Sequence, residues 1–246
     1  MVGAVTTADR CATLRAQGVP SVVIPAFQLS RAERVKLALV EAAAHDLIVP
    51  GSLVLALTGL DPLGPIDSLT LLRVGAATGE EVALGRGLGR FSGAPEVMEA
   101  VLDLALSVGA EGWEGHPIGA LFTLGAAPQV MARSRQLALN PFLGYPERQR
   151  NLLDPAVREA VRPFITLDGA FVVRDDGVVV AAGRYLIFED RRVDVPLGLG
   201  ARHMAAAGAS AATGATAIAV SQTSGAVRVF RNGAVALELN PTRRRT

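Results

Sequence analysis

Residues 165–173 read Ile-Thr-Leu-Asp-Gly-Ala-Phe-Val-Val, an apolar stretch that an Asp-Gly pair interrupts. Its β-branched and aromatic residues predict a strand over this range. Asp168 stands out because a buried strand needs no carboxylate, and Gly169 lets another group approach the backbone closely. An Asp-Gly pair is also common in turns, so these residues alone leave a turn and a functional site open.

A second segment, residues 198–205, reads Gly-Leu-Gly-Ala-Arg-His-Met-Ala and predicts a turn that leads into a helix ending near residue 212. The first turn of this helix would carry Arg202 and His203. Free N–H groups at a helix start, together with a guanidinium, suit a phosphate. An Arg at this position also often pairs with a surface carboxylate, and a lone His is often structural. Residue types alone therefore leave two interpretations of this segment open, an anion-binding site and a purely structural role.

The flanking sequence predicts strands and helices on both sides of these segments. The predicted strands cover residues 21–27, 53–57, 68–74, 119–124, 178–182, 217–221 and 227–230. The predicted helices begin near Ser30, Pro95 and Pro155. Residues 85–89, Gly-Arg-Gly-Leu-Gly, lack the spacing of a dinucleotide-binding loop and are predicted to be a loop or linker. We expect a small α/β domain over residues 1–92 and a second, strand-rich domain over residues 93–246.

Composition narrows the function classes. The 246 residues carry a formal net charge of +1, and 50% are hydrophobic while 19% are charged. This balance supports a packed core and gives no broad basic surface for nucleic acid or membrane. The single cysteine, Cys11, cannot form an intramolecular disulfide, and no apolar run is long enough for a membrane span or a signal peptide. We therefore expect a cytoplasmic protein.

The motifs together resemble the diadenylate cyclase (DAC) domain family. The resemblance covers roughly residues 93–240 and rests on seven short segments. These are residues 114–125 (EGHPIGALFTLG), 140–142 (NPF), 168–170 (DGA), 181–186 (AAGRYL), 200–203 (GARH), 220–221 (VS) and 225 (G). More faintly, residues 64–74 resemble the α/β domain, related to the C-terminal region of pyruvate kinase, that precedes the cyclase domain in archaeal-type members. The implied fold class is α/β, with a small N-terminal α/β domain before a DAC domain whose central mixed sheet is flanked by helices.

The resemblance also implies an activity. Members of the family condense two ATP molecules into cyclic di-3′,5′-AMP and two pyrophosphates with the help of Mg²⁺ or Mn²⁺. Each protomer holds one ATP, and two active faces meet head to head in a homo-oligomer that is at least a dimer. A two-fold symmetric product is most directly made across a two-fold interface. No membrane or nucleic acid partner is implied.

The family's site residues carry over by motif. Asp168 would lie at the metal and the attacking 3′-hydroxyl, with Gly169 and Ala170 keeping the space beside it small. Arg202 would stabilise phosphate charge, and His203 would lie near the metal or orient a phosphate. The implied ATP-binding positions are Gly183, Leu186, Gly200, Ala201 and Ser221.

Two segments depart from the family pattern. Ala201 and Met204 stand where the family commonly has a threonine and an arginine, and Gln222-Thr223 replaces an acidic pair. Losing a charged phosphate contact costs on the order of 1.5–3 kcal/mol unless another group, such as Arg184 or Arg228, replaces it. A non-catalytic sensor of ATP or a cyclic dinucleotide is therefore the alternative to a cyclase. A third interpretation makes the N-terminal domain an effector-binding or assembly domain for the cyclase that follows it.

Overall fold

A computed structural model of the chain describes residues 1–24, 31–49, 51–59, 65–74, 92–188, 193 and 198–241. The chain divides into two compact units, Met1–Arg90 and Phe91–Thr246. The predicted loop over residues 85–89 lies outside the described residues. Among the helices that the structure describes, none has the length and apolar character needed to cross a membrane.

The first unit combines short strands with two helices. A parallel pair of strands, β1 (Gly3–Val5) and β2 (Ser21–Val23), is connected by α1 (Ala8–Ala16). Helix α2 (Arg31–Ala44) packs against β2 through apolar residues at helical spacing. The unit is thus an α/β arrangement, as the sequence predicts, although β1 and α1 were not predicted.

An antiparallel hairpin completes the first unit. Its strands, β3 (Leu53–Thr58) and β4 (Ser68–Arg73), match the two predicted strands in this region. One face of the hairpin places leucines on both strands, and their side chains are more than half exposed. These leucines are Leu53, Leu55, Leu57, Leu69 and Leu71.

The second unit is built on a seven-stranded mixed sheet, in the order β11-β10-β9-β5-β7-β8-β6. Only β5 and β7 run parallel, and every other neighbouring pair is antiparallel. The strands are β5 (Ala120–Leu124), β6 (Ser134–Gln136), β7 (Ala170–Val173), β8 (Val179–Leu186), β9 (Thr216–Val220), β10 (Val227–Arg231) and β11 (Ala234–Leu239). The predicted class, a mixed central sheet flanked by helices, is confirmed.

Two long helices cover the centre of this sheet. Helices α3 (Pro95–Glu111) and α6 (Ala201–Thr213) both pack against β5, β9 and β10. Every residue of β5 and β9 is buried, so both faces of the sheet are covered there. The buried face of α6 is made of alanines such as Ala206 and Ala207, whose small side chains let the helix lie close to the strands. Two shorter helices, α4 (Ala127–Ala132) and α5 (Pro155–Val161), complete the unit.

One predicted strand begins too early. Residues 165–173 were expected to form a single strand, but Arg162–Thr166 form a 3₁₀ helix and β7 starts only at Ala170. Pro163 in the first turn favours the helical start, and Gly169 has a φ of +102°, which a continuous strand does not allow. The Asp-Gly pair is therefore the turn that ends one element and begins the next.

Candidate functional site

Strand direction brings the predicted site segments to one edge of the sheet. Because β5 and β7 are parallel, the residues preceding both strands lie at the same edge. Strand β9 is antiparallel to β5 and pairs Val220 with Ala120, so its end reaches this edge too. Strand β8 pairs Arg184 with Ala170, which brings residues 184–186 there as well.

Asp168 lies at this edge, immediately before β7. Its side chain is 83% exposed, and its Oδ1 accepts a hydrogen bond from the backbone N–H of Gly169 at 3.0 Å. That bond orients the carboxylate but leaves most of its oxygen surface open to a ligand. A positively charged group or a metal ion can therefore approach it from solvent.

Arg202, in the first turn of α6, meets Asp168. Its Nη2 lies 3.6 Å from Asp168 Oδ1, and its side chain is 37% exposed. A Cβ built on Gly119, just before β5, would lie only 2.9 Å from Nη1 of Arg202 and 3.2 Å from the Cβ of Gln222. The guanidinium thus lies over the glycine, between the starts of β5 and β7 and the end of β9. An ion pair this long and exposed is weak, so it can be exchanged for contacts to phosphate.

The start of α6 supplies backbone donors beside this arginine. Gly200 is the N-cap residue, and its carbonyl accepts from the N–H groups of His203 and Met204. Ala201, the first helical residue, is exposed, and Gly200 contributes no side-chain cap. The structure therefore brings Gly200, Ala201 and Arg202 together with Asp168 in the way the sequence predicts for an anion site, without testing their roles.

His203 is placed differently from its neighbour. It is 6% exposed, its Nε2 lies 3.3 Å from Nη1 of Arg228, and its ring meets the ring of Phe230 edge-on with centroids 6.1 Å apart. Burial lowers the pKa of His203, and the Arg228 guanidinium lowers it further. The ring is therefore neutral near pH 7. Its Nε2 already has a partner, so the metal-ligand role implied for His203 stays a prediction.

Close backbone packing explains Gly169, and a positive φ explains Gly183. A Cβ on Gly169 would lie 2.7 Å from the backbone nitrogen of Arg184, inside the contact distance of real side chains. Gly183 has a φ of +67°, and a Cβ there would lie 3.6 Å from the carbonyl oxygen of Asp168. Gly169 thus lets β8 lie directly against the Asp168 turn. Ala170 follows in β7 and is fully buried.

The remaining predicted ATP-binding residues lie around this edge. Ser221 follows β9, its N–H donates to the carbonyl of Ala226, and its Oγ accepts from the N–H of Ser224. Leu186 is 8% exposed and belongs to the core cluster under α6. Their contacts to a nucleotide stay predictions.

Neither arginine suggested as a replacement for the one lost at position 204 is available. Arg184 donates to the hydroxyl and carbonyl oxygens of Ser134 and to the carbonyl of Met131. Arg228 makes two hydrogen bonds to the carboxylate of Glu238, at 2.9 and 3.0 Å. Met204 itself is 47% exposed. Within the described residues, the site is left with Arg202 as its guanidinium.

Sequence reasoning missed the Arg228–Glu238 pair. The two residues are direct cross-strand partners in the β10–β11 hairpin. Its turn residues, Asn232 and Gly233, both have positive φ, as the Asn-Gly pair between two apolar runs would have predicted. That hairpin signal alone would have paired Arg228 with Leu237, because an irregularity between Val229 and Phe230 shifts the register by one residue and brings Arg228 opposite Glu238.

Two family models match separate parts of the chain. Residues 107–235 match the model of the family described as "DAC: DisA bacterial checkpoint controller nucleotide-binding". Residues 2–79 match the family described as "DacZ_P: Probable sensor domain DacZ_P". The likeness of the first unit to pyruvate kinase stays a prediction.

Two archaeal relatives are both named diadenylate cyclase. The chain is 44% identical to the Haloferax volcanii protein over 148 residues, and these residues make up 60% of this chain and 54% of the relative. It is 41% identical to the Methanocaldococcus jannaschii protein over 144 residues, which make up 58% of this chain and 45% of that relative. The chain thus spans about half the length of the relatives it matches.

Solved structures give weaker likenesses. A structure described as a hypothetical membrane spanning protein from Bacillus cereus aligns with a TM-score of 0.44 and 23% identity, over 58% of this chain and 63% of that one. A double mutant of DacA from Staphylococcus aureus aligns with a TM-score of 0.40 and 22% identity, over 57% of this chain and 84% of that one. The match of residues 107–235 covers more than half of the chain, and the chain therefore belongs to the DAC (DisA bacterial checkpoint controller nucleotide-binding) family.

Proposed function

We propose that the chain is a diadenylate cyclase, which converts two ATP molecules into cyclic di-3′,5′-AMP and two pyrophosphates. The observation that carries the proposal is the meeting of Asp168 and Arg202, 3.6 Å apart, at the sheet edge where the α6 N-terminus begins. The two relatives named diadenylate cyclase support the same activity. A carboxylate beside a phosphate-binding guanidinium suits phosphoryl transfer better than simple anion binding.

The reaction joins two nucleotides in opposite directions. The 3′-oxygen of each ribose forms a bond to the α-phosphorus of the other ATP, the bond to the β-phosphate oxygen breaks, and pyrophosphate leaves. The proton of each 3′-hydroxyl leaves as the oxygen attacks. In-line alignment of the two nucleotides supplies much of the rate. We propose that two copies of the chain hold one ATP each and meet head to head as a homodimer.

Each site residue has a role that its surroundings support. Asp168 is open enough to orient the 3′-hydroxyl and draw its proton away. Arg202 and the backbone N–H groups at the start of α6 stabilise negative charge on the phosphates. Gly183, Leu186 and Ser221 line the nucleotide's approach from β8 and β9. Gly169 and Ala170 hold the Asp168 turn against β8.

The donor set fits Mg²⁺ or Mn²⁺ held mainly by substrate. The described residues include no group of three or more His, Cys, Asp or Glu side chains that could hold a metal. Mg²⁺ is commonly held by one or two carboxylates together with substrate phosphates, and Asp168 supplies one exposed carboxylate. When bound, the metal neutralises phosphate charge.

Product formation tests the proposal directly. Purified protein incubated with ATP and either Mg²⁺ or Mn²⁺ is expected to yield cyclic di-AMP in a mass spectrum. Absence of the product with both metals across a range of pH would contradict a cyclase.

The Asp168→Asn variant tests the site. We expect product formation to fall on the order of 100-fold or more, because an amide neither takes a proton nor holds a hard cation. The matched control is Asp103→Asn, because the Asp103 side chain is also solvent-accessible, at 50%, and also lies 3.6 Å from an arginine, Arg158. Equal activity of the two variants would remove Asp168 from its role.

A non-catalytic sensor of ATP or cyclic di-AMP is the second candidate. It is favoured by the loss of an arginine at Met204 and by the engagement of Arg184 and Arg228 elsewhere. Calorimetry separates the two functions: a sensor binds a nucleotide without turning over ATP, whereas the cyclase consumes it. For the first unit, the match to a sensor family supports a regulatory role in the same protein.

A further inference from the structure

Three charged or polar side chains contact one another in sequence where the start of α6 packs on the sheet: Glu238, Arg228 and His203. The carboxylate of Glu238 on β11 accepts hydrogen bonds from Nε and Nη2 of Arg228 on β10, at 2.9 and 3.0 Å. Nη1 of the same guanidinium lies 3.3 Å from Nε2 of His203 in α6. The Arg228 side chain is 15% exposed, so solvent competes little for these contacts.

This geometry fixes which ring nitrogen of His203 carries the proton. A guanidinium has donors and no acceptor, so the contact requires Nε2 to be the acceptor. Nε2 then bears no proton, and the proton of the neutral ring is on Nδ1. A doubly protonated ring would place an N–H against the guanidinium, which is unfavourable both sterically and electrostatically.

We propose that Arg228 and Glu238 are positioning residues that hold His203 as the Nδ1–H tautomer, which leaves Nδ1 as the hydrogen-bond donor of the ring. Its Nε2 is then committed to Arg228 and serves neither as a metal ligand nor as a general base. The bidentate contact to Glu238 fixes the plane of the guanidinium, and the guanidinium in turn fixes the ring. The importance of this tautomer for turnover rests on the proposed cyclase function, but the tautomer itself does not.

Nitrogen-15 NMR of the histidine rings tests the tautomer without any activity assay. The chain has three histidines, so the His203→Gln variant assigns the signal of interest. In the unaltered full chain at pH 7.5, we expect Nε2 of His203 to have an unprotonated shift and Nδ1 a protonated shift. A protonated Nε2 would overturn the proposal.

The Arg228→Met variant removes the donor while keeping the aliphatic part of the side chain. We expect His203 to become a mixture of both tautomers, and ATP turnover to fall on the order of tenfold. The matched control is Arg162→Met, since Arg162 also lies 2.9 Å from a carboxylate, Glu111, and has a similarly low side-chain exposure of 18%. In the Arg162→Met variant, the His203 signals and ATP turnover should both stay unchanged. Unchanged His203 signals in Arg228→Met would contradict the proposal.

A milder variant covers the case in which Arg228→Met does not fold. Glu238→Gln keeps the shape of the side chain and one hydrogen bond, and we expect it to shift the tautomer balance only partly. If it leaves the His203 signals unchanged, Glu238 is not a positioning residue. If the tautomer is as expected but the unaltered protein makes no cyclic di-AMP, the proposed function fails and the tautomer assignment stands.

Discussion

At the scale of single residues, the position of Asp168 in the candidate site depends on the glycine that follows it. Gly169 has a φ of +102°, and a Cβ there would lie within 3 Å of the backbone of both Gly183 and Arg184. Its N–H also donates to the Asp168 carboxylate. The position of Asp168 therefore follows from how closely two strands approach each other.

We expect Gly169→Ala to destabilise the protein by at least about 1–3 kcal/mol, because the new methyl group is strained at this φ and strikes backbone that cannot move aside. Urea denaturation measures the change. The matched control is Gly144→Ala, since Gly144 also has a positive φ, +85°, but a Cβ there meets nothing within 4 Å. If Gly169→Ala loses no more stability than Gly144→Ala, the close approach of β8 does not make the alanine unfavourable at position 169.

Residue-scale reasoning singled out residues whose chemistry is unusual for their position, and their roles stay predictions; it missed a contact that depends on a distant partner. Asp168 and Arg202 stand out in sequence because a carboxylate before a buried strand and an arginine at a helix start need a reason. The partner of His203 could not be read from its own segment, since Arg228 is 25 residues further along the chain. The packing of α6 on β10, which the sequence of neither segment reveals alone, decides that contact.

At the scale of elements, helix α3 lies on the sheet through a contact between two glycines. A Cβ on Gly109 would lie 2.2 Å from the carbonyl oxygen of Gly225, and a Cβ on Gly225 would lie 2.2 Å from the carbonyl oxygen of Gly109. Gly225 is in the turn between β9 and β10, next to Ser221. The helix thus touches the backbone of the loop that carries a predicted nucleotide contact.

We expect the Gly109→Ala variant to be less stable than the unaltered chain, although this substitution in a helix usually increases stability. An alanine normally stabilises a helix interior by up to about 1 kcal/mol relative to glycine. Here we expect a loss of about 2–4 kcal/mol, because α3 must move off the sheet to make room. Thermal or urea unfolding gives the value. Ser107→Ala in the same helix is the control, expected within about 0.5 kcal/mol of the unaltered chain. A stabilised Gly109→Ala would disprove the contact.

Sequence predicted elements best where apolar residues recur over a long stretch. The helix from Pro95 and the strands of the β3–β4 hairpin agree with the structure. Short elements were missed, among them β6 (Ser134–Gln136), whose three residues are too few to show a period. Strand β8 continues four residues past its predicted end at Ala182, because its pairing with β6 and β7 outweighs the poor strand preference of Gly183.

At the scale of the whole molecule, every described site residue belongs to the unit Phe91–Thr246. The match to a sensor family lies wholly within the other unit. The regulatory role that we propose for the first unit and the cyclase site that we propose thus belong to different parts of one chain. Separate units of this kind commonly fold and act alone.

A chain restricted to residues 91–246 should keep cyclic di-AMP synthesis within about threefold of the full chain, since compact domains generally retain their own sites. Circular dichroism confirms folding, and product is measured by mass spectrometry. The same fragment with Asp168→Asn is the inactive reference. A folded fragment without activity, beside an active full chain, would mean that residues 1–90 complete the site or its assembly.

The order of strands in the sheet also affects how the protein is made. Strand β5 lies at the centre, and its residue Ala120 pairs with Val220 of β9. A ribosome adding about 5–20 residues each second needs roughly 5–20 s to synthesise the stretch between these partners. Throughout that interval the edge of β5 that will receive β9 has no partner, and an apolar strand with an unpaired edge readily joins other chains. Slower growth at low temperature or added chaperone should therefore raise the yield of this unit more than any change to its surface.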